Sequence, residues 1–321
     1  MPLEPRVRAL VALANRLPAT GGDAPIALQR AAGARQAERF GRLIIRPGRK
    51  ITSITHRTIP VSGGTIVVRI YRPFEGALPL HVFFHGGGWC AGTLNERDSR
   101  CQDLAADVGC VVASVDYRLA PENQYPTAPE DCFAALCWLV EHADELEVLP
   151  SVVSVGGESA GGNLAAVVCL MARDHGGPPV VLQMLDVPAT DLTLQQPSMQ
   201  TLGTGYLLTK AAMTGYVKAY VADSGRIAEP YASPLQATDL SGLPPAWIMT
   251  AEYDPLHDEG EAYANRLRQV GVPTDHRQLP GHIHPSFAFT RLLASAREYH
   301  SACVKALQLA HQMARSSNVG T

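Results

Sequence analysis

The chain has 321 residues, of which 46% are apolar and 18% charged, with a formal net charge of -3. This composition excludes a disordered or fibrous protein, and the small, mixed charge gives no basis for nucleic acid or an anionic membrane surface as a partner. The length suits one large α/β domain or two smaller ones.

Residues 1–17 carry apolar Val7, Leu10 and Val11 at helical spacing, but Arg6 and Arg8 interrupt any signal-peptide core. They predict an amphipathic helix. Two strand-like runs follow at 54–59 and 66–71, separated by a Ser-Gly-Gly turn. That pattern indicates an antiparallel hairpin at the start of the sheet.

From residue 80 onward, short apolar runs alternate with longer segments of helical period. The predicted helices are 129–146 and 258–270, and the predicted strands are 80–84, 110–115, 152–155, 180–187, 246–250 and 274–279. The alternation predicts an α/β fold with a mostly parallel sheet and helices on both faces. The last strand is polar, which favours a position near an edge.

Two segments do not follow this alternation, residues 1–46 and residues 190–225. We expect them to fold as a cap over one α/β domain that spans residues 1–321. The longest uninterrupted apolar run, 164–172, is shorter than the roughly 20 residues that a membrane-spanning helix needs. Seven cysteines without a CxxC pair predict reduced core thiols and a cytoplasmic protein.

A serine flanked by glycines follows the apolar strand 152–155. Gly157, Ser159 and Gly161 form the pattern GxSxG, and a helix of small residues comes next. Strand, tight turn and helix are the context of a nucleophile elbow, in which the turn projects the serine. The alternatives are a phosphate-binding loop and an ordinary strand-to-helix turn. No lysine follows Gly161 as the Walker spacing requires, and the pattern GxGxxG is not matched either. We therefore predict that Ser159 is a nucleophile.

Three consecutive glycines, 86–88, follow the strand 80–84 and lie between His85 and Trp89. Acyl transfer needs preorganised N–H donors where negative charge develops, and glycines leave those donors accessible. We predict an oxyanion hole formed by the N–H groups of Gly87, Gly88 and Ala160. A flexible surface loop is the alternative.

The remaining candidates are an acid and a base in loops after the last two strands. Asp254 follows the strand 246–250, and Pro255 keeps it out of helical geometry. We interpret Asp258 as a first-turn acid of the next helix. His282 and His284 follow the final strand, and their side chains point to opposite sides if the loop is extended. Pro285 favours His284 as the projecting base, and the chain order of serine, acid and histidine is that of α/β-hydrolases.

These motifs resemble the hormone-sensitive-lipase-like family of carboxylesterases, also called bacterial family IV, from about residue 66 to 307. The matching stretches are 85–89, 116–122, the elbow, 233–235 and 254–260. The resemblance implies that Asp254 and His284 are members of the catalytic triad and that a helical cap covers the active site. It also implies that Tyr206 and Leu207, together with Trp89, bind the substrate. Glu158, where the family usually has Asp or Thr, and Pro285-Ser286 after the histidine depart from the family pattern.

Within 116–122 we expect Arg118 and Glu122 to pair locally, in a structural role.

The predicted function is hydrolysis of short to medium acyl esters through an acyl-enzyme, without metal or organic cofactor. Alternatives are a non-catalytic ligand receptor on this fold, and an amide or lactone hydrolase. The expected partner is a small-molecule ester, with no nucleic acid and no membrane. The sequence leaves a homodimer open.

Overall fold

The computed structural model describes residues 2–16 and 26–318. It contains one sheet of eight strands: β1 (Ser53–Val61), β2 (Gly64–Arg72), β3 (Leu78–Phe84), β4 (Val111–Asp116), β5 (Val148–Glu158), β6 (Leu182–Asp186), β7 (Ala246–Tyr253) and β8 (Thr274–Ile283). Their spatial order is β1-β2-β4-β3-β5-β6-β7-β8. The pairs β1–β2 and β2–β4 are antiparallel, and all later pairs are parallel.

Helices cover both faces of this sheet. In chain order they are α1 (Pro5–Ala14), α2 (Ile26–Ile44), α3 (Asp98–Val108), α4 (Thr127–Glu141), α5 (Ala160–Asp174), α6 (Pro197–Thr201), α7 (Lys210–Tyr220), α8 (His257–Gln269) and α9 (Ala294–Asn318). Strand β3 is buried at every position, because apolar side chains of helices pack against both of its faces. The predicted α/β-hydrolase architecture, with its leading antiparallel hairpin and β8 at the edge, is confirmed.

Element boundaries differ from the predictions in several places. Strand β5 extends well beyond 152–155 at both ends and reaches Glu158, beside the serine of the elbow. The helix predicted for 129–146 begins at Thr127 and ends at Glu141. It stops there because the ring of His142 hydrogen-bonds the carbonyl oxygen of Trp138 at 2.9 Å and stacks on its indole, which closes the last turn.

The N-terminal helix α1 packs against the end of β8. Its Glu4 cap donates a backbone N–H to the carbonyl oxygen of Gly281 at 3.0 Å, and buried Val7 and Val11 contact the apolar cluster around Ile283. Of the predicted N-terminal segment 1–46, residues 1 and 17–25 lie outside the described residues.

All seven cysteines are free thiols, six of them buried and Cys137 half-buried. They are unpaired, as their spacing predicts. Within the described part of the chain, no helix combines the length and the apolar character needed to cross a membrane.

Candidate active site

The turn between β5 and α5 holds Ser159 in a strained conformation, with φ 57° and ψ -118°. Its backbone N–H donates to the carbonyl oxygen of Asp186 at 2.8 Å, which ties the turn to β6. A Cβ on Gly161 would lie 2.0 Å from the carbonyl oxygen of Phe84, and a Cβ on Gly157 would lie 2.3 Å from that of Gly161. Both glycines are therefore required by close approach of backbone to backbone.

The glycine loop after β3 adopts backbone conformations that side chains disfavour. Gly87 has φ +129° and Gly88 has φ +59°. The carbonyl oxygen of Gly87 accepts N–H groups from Cys90 and Ala91, which fixes the loop as a tight turn. Among the described residues, the N–H groups of Gly87, Gly88 and Ala160 have no protein acceptor. They are thus available as donors to a bound group.

A carboxylate and an imidazole meet at the ends of β7 and β8. Asp254 is buried, and its Oδ2 lies 2.7 Å from Nδ1 of His284, while its Oδ1 accepts the N–H of Leu256 at 2.9 Å. A neutral imidazole that donates from Nδ1 to a carboxylate leaves Nε2 as a proton acceptor. His284 and Ser159 line the same cavity, and in the described structure no hydrogen bond joins their side chains.

His282 points the other way, into the protein. Its Nε2 lies 2.8 Å from Oγ of Ser295 and its Nδ1 lies 2.8 Å from Oγ of Ser286. Burial lowers the pKa of this imidazole. Both ring nitrogens are thus engaged in structural hydrogen bonds, and neither faces Ser159.

The cavity around Ser159 has a volume of about 290 Å³. Its walls come from the glycine loop, the elbow, the loop after β8 and the segment before and within α7. Trp89 contributes to one wall and is itself held by stacking on Tyr220, with ring centroids 4.6 Å apart, and by a hydrogen bond to Asn163.

Tyr206 and Leu207 do not line this cavity. The ring of Tyr206 packs on Tyr253 at 5.1 Å, and Leu207 is 40% exposed. The same segment instead contributes Leu208, Met213 and Tyr216 to the wall. Tyr216 packs so closely on the glycine loop that a Cβ at Gly88 would lie 2.5 Å from its ring.

The expected pairing of Arg118 with Glu122 is wrong. Arg118 instead forms a two-pronged ion pair with the buried carboxylate of Asp131 on α4, and Glu122 pairs with Arg30 on α2. The packing of α4 brings a buried carboxylate within reach of the guanidinium, and a buried charge needs a partner more than an exposed one does. Asp258 lies in the first turn of α8, as predicted, and also accepts the N–H of Ser198.

Two ion pairs that were not predicted from the sequence lie at the cavity wall, to which Arg97, Arg100 and Glu158 contribute. Arg97 pairs with Glu158, the residue before the elbow serine, and Arg100 pairs with Asp186 on β6. Burial by itself would raise the pKa of Glu158, but Arg97 and then Arg100 outweigh burial and hold that pKa below its usual value. Each carboxylate lies more than 50 residues from its arginine along the chain, so no local sequence pattern indicates either pair.

A second serine and histidine set lies deep in the fold. Oγ of Ser154 lies 2.9 Å from Nδ1 of His81 and 2.9 Å from Nε2 of His311. Burial lowers the pKa of His81 to about 3 and that of His311 to about 4. None of the three lines the cavity, and among the described residues no carboxylate is hydrogen-bonded to them. The contacts of Ser154 on β5 with His81 on β3 and His311 on α9 join α9 to the sheet. Over residues 2–16 and 26–318, no group of three or more His, Cys, Asp or Glu side chains is arranged to hold a metal ion.

Comparison with known proteins identifies the fold and the relatives of this chain. A family model described as alpha/beta hydrolase fold matches residues 81–288. The carboxylic ester hydrolase LipN of Mycobacterium tuberculosis is 49% identical over 246 residues, which cover 74% of this chain and 65% of LipN. The chain therefore spans just under two thirds of that relative's length.

Two further relatives match almost end to end. The ethyl acetate hydrolase of Pseudomonas putida is 35% identical over 318 residues, covering 96% of this chain and 99% of that protein. The solved structure of a hyperthermophilic esterase from the archaeon Pyrobaculum calidifontis superposes with a TM-score of 0.91 at 38% identity, covering 96% of this chain and 98% of the other.

Proposed function

The chain belongs to the hormone-sensitive-lipase-like family of the α/β-hydrolase fold, and from that premise we propose that it is a serine carboxylesterase that works through Ser159, His284 and Asp254. The observation that carries this proposal is the 2.7 Å contact between His284 and Asp254 at the cavity that Ser159 enters from its strained turn. Relatives named as ester hydrolases support the reaction class.

In the proposed mechanism, Nε2 of His284 takes the hydroxyl proton of Ser159 as Oγ attacks the ester carbonyl. Asp254 holds the imidazole in the required tautomer and stabilises the imidazolium that forms. The proton then passes from His284 to the leaving alcohol, and an acyl-enzyme remains on Ser159. Water repeats the sequence and releases the acid.

Negative charge on the tetrahedral intermediate needs preorganised donors. We assign this role to the N–H groups of Gly87, Gly88 and Ala160. Their lack of a protein acceptor among the described residues supports the assignment, because stabilisation of an oxyanion requires donors that are not already satisfied.

We also propose short to medium acyl esters as substrates and a cap formed by parts of 1–46 and 190–225. Ligand cavities commonly measure about 300–1,000 Å³, so this cavity lies at the small end. Ile45 from the first segment, and Leu208, Met213 and Tyr216 from the second, line it, which supports a role of both segments in limiting acyl length.

Seven free thiols support a reducing compartment, and we propose the cytoplasm. A homodimer stays a prediction.

The reaction is tested by steady-state hydrolysis of p-nitrophenyl esters from acetate to dodecanoate, with the wild type and Ser159→Ala in parallel. We expect highest kcat/KM on the shorter esters and no turnover in Ser159→Ala, whose thermal unfolding should match the wild type. Maximal activity on long-chain triglyceride emulsions would contradict the substrate proposal. Full activity in Ser159→Ala would contradict the mechanism.

A further inference from the structure

Two carboxylates at adjacent strand ends flank the turn of Ser159. Glu158 ends β5 and lies opposite Asp186, the last residue of β6, in the parallel ladder. The carbonyl oxygen of Asp186 accepts the N–H of Ser159. Each carboxylate side chain is nearly inaccessible, at 7% exposure for Glu158 and 2% for Asp186. Two buried carboxyl groups thus lie next to the residue that is proposed to attack.

The start of α3 supplies one arginine for each carboxylate. Nε of Arg97 contacts Oε1 of Glu158, and the guanidinium of Arg100 contacts Oδ2 of Asp186. Asp186 also accepts the hydroxyl of Tyr299 from α9. Helices α3 and α9 are therefore connected to strands β5 and β6 at the elbow through polar and charged side chains, and not through apolar packing alone.

Glu158 also touches the glycine loop. A Cβ built on Gly86 would lie 3.2 Å from Oε1 and 3.3 Å from Cγ of Glu158. The side chain consequently packs directly under the loop that carries the proposed oxyanion donors. An uncompensated carboxylate at this position would oppose the negative charge that develops in the transition state, because charges interact strongly where water is excluded.

We propose that the Arg97–Glu158 and Arg100–Asp186 pairs act as a charge clamp that positions Ser159 and cancels the negative charge beneath the oxyanion loop. This inference rests on the proposed function, and its residues are positioning residues that act through Ser159 and the oxyanion donors. Glu158 differs from the residue that the family usually has at this position, and its buried carboxylate requires the positive charge of Arg97.

The clamp predicts different outcomes for breaking a pair and for removing both partners. Arg97→Met leaves a buried carboxylate without its main partner, whereas Arg97→Met/Glu158→Gln leaves no charge to compensate. We expect kcat on p-nitrophenyl acetate to fall by roughly tenfold or more in Arg97→Met, with KM little changed, since oxyanion stabilisation acts on the transition state. The double variant should recover to within about threefold of the wild type, and Arg97→Lys, which keeps the charge, should retain most of kcat.

The pH profile separates charge compensation from a merely structural role. Glu158 faces Arg97 at the N-cap of α3 and Arg100 and Cys101 within α3. It also faces His85 from the loop after β3, Tyr117 from the loop after β4 and Asp186 from β6. Without Arg97, burial dominates and raises the pKa of Glu158, so its carboxyl is neutral at low pH and becomes charged as pH rises. Relative to the wild type, Arg97→Met should therefore lose activity as pH rises, and the double variant should not.

The matched control is Arg118→Met/Asp131→Asn, because that pair has similar exposure, 22% and 1%, and lies away from the cavity. We expect this control to leave kcat and its pH profile as in the wild type, whatever its effect on thermal stability. The clamp would be refuted if Arg97→Met kept the kcat of the wild type. It would also be refuted if the double variant were as slow as Arg97→Met and had the same pH profile. Activity retained in Ser159→Ala would instead refute the proposed function, whatever the clamp variants do.

Discussion

Replacing His284 by alanine should abolish turnover, whereas replacing His282 should mainly reduce stability. His284 lines the cavity and contacts Asp254 at 2.7 Å, so its loss removes the proposed general base and leaves a buried carboxylate without its partner. We expect kcat to fall by roughly 10⁴-fold or more, the scale seen when a triad member is removed.

The structure predicts a different penalty for His282→Ala. This side chain makes two hydrogen bonds to serines, worth about 1 kcal/mol each, and its removal also leaves a hole in a packed region, for a total of about 2–4 kcal/mol. The kcat of this variant should stay within about tenfold of the wild type, because neither ring nitrogen faces Ser159.

Both variants are assayed for kcat on p-nitrophenyl acetate and for the urea midpoint of unfolding. Separation of the two effects is the expected result: activity is lost in His284→Ala, and stability is lost in His282→Ala. Near-normal turnover in His284→Ala together with loss of turnover in folded His282→Ala would refute the assignment of the base.

Three further predictions address the elbow, the cavity wall and the buried histidines. Gly161→Ala should lower kcat by about 100-fold, because its Cβ would lie 2.0 Å from the carbonyl oxygen of Phe84 and must displace Ser159. The control Gly41→Ala, which has open space around the new Cβ, should behave as wild type in the same assay. Tyr216→Ala should raise kcat/KM on p-nitrophenyl octanoate relative to acetate by about tenfold, since the ring bounds the cavity; an unchanged ratio would exclude it as a limit on acyl length. Burial holds the pKa of His81 at about 3 and that of His311 at about 4, below the 6.5 of a free imidazole. The stability that these neutral rings contribute is therefore present above about pH 6.5 and is lost as pH falls toward about 4. Urea midpoints of the wild type should therefore drop more steeply with acid than those of His311→Gln, and parallel curves would contradict this account.

Local constraints explain why much of the site could be predicted from the sequence. Gly157 and Gly161 are needed because backbone segments approach within contact distance on either side of Ser159, and such a requirement leaves a short, recognisable motif. Asp254 and His284 could be anticipated because the carboxyl ends of adjacent parallel strands meet at one edge of the sheet.

Other parts depend on packing between distant segments, which no local pattern encodes. The pairing of Arg118 with Asp131 follows from where α4 lies, and the contact of Arg97 with Glu158 follows from where α3 lies. The wall residues of the cavity depend on the rotational position of α7, which begins at Lys210 after the side chain of Thr209 caps its first turn. A segment without clear periodicity gave no means of predicting that Tyr216, and not Tyr206, would face the cavity.

Covalent trapping tests directly whether Ser159 is the nucleophile. The wild-type protein would be treated with a p-nitrophenyl alkylphosphonate, digested and mapped by mass spectrometry, with Ser159→Ala as the control. We expect stoichiometric modification of the peptide that contains Ser159, parallel loss of esterase activity, and no modification of the control. Modification of a different serine, or full activity after Ser159 is labelled, would contradict this assignment.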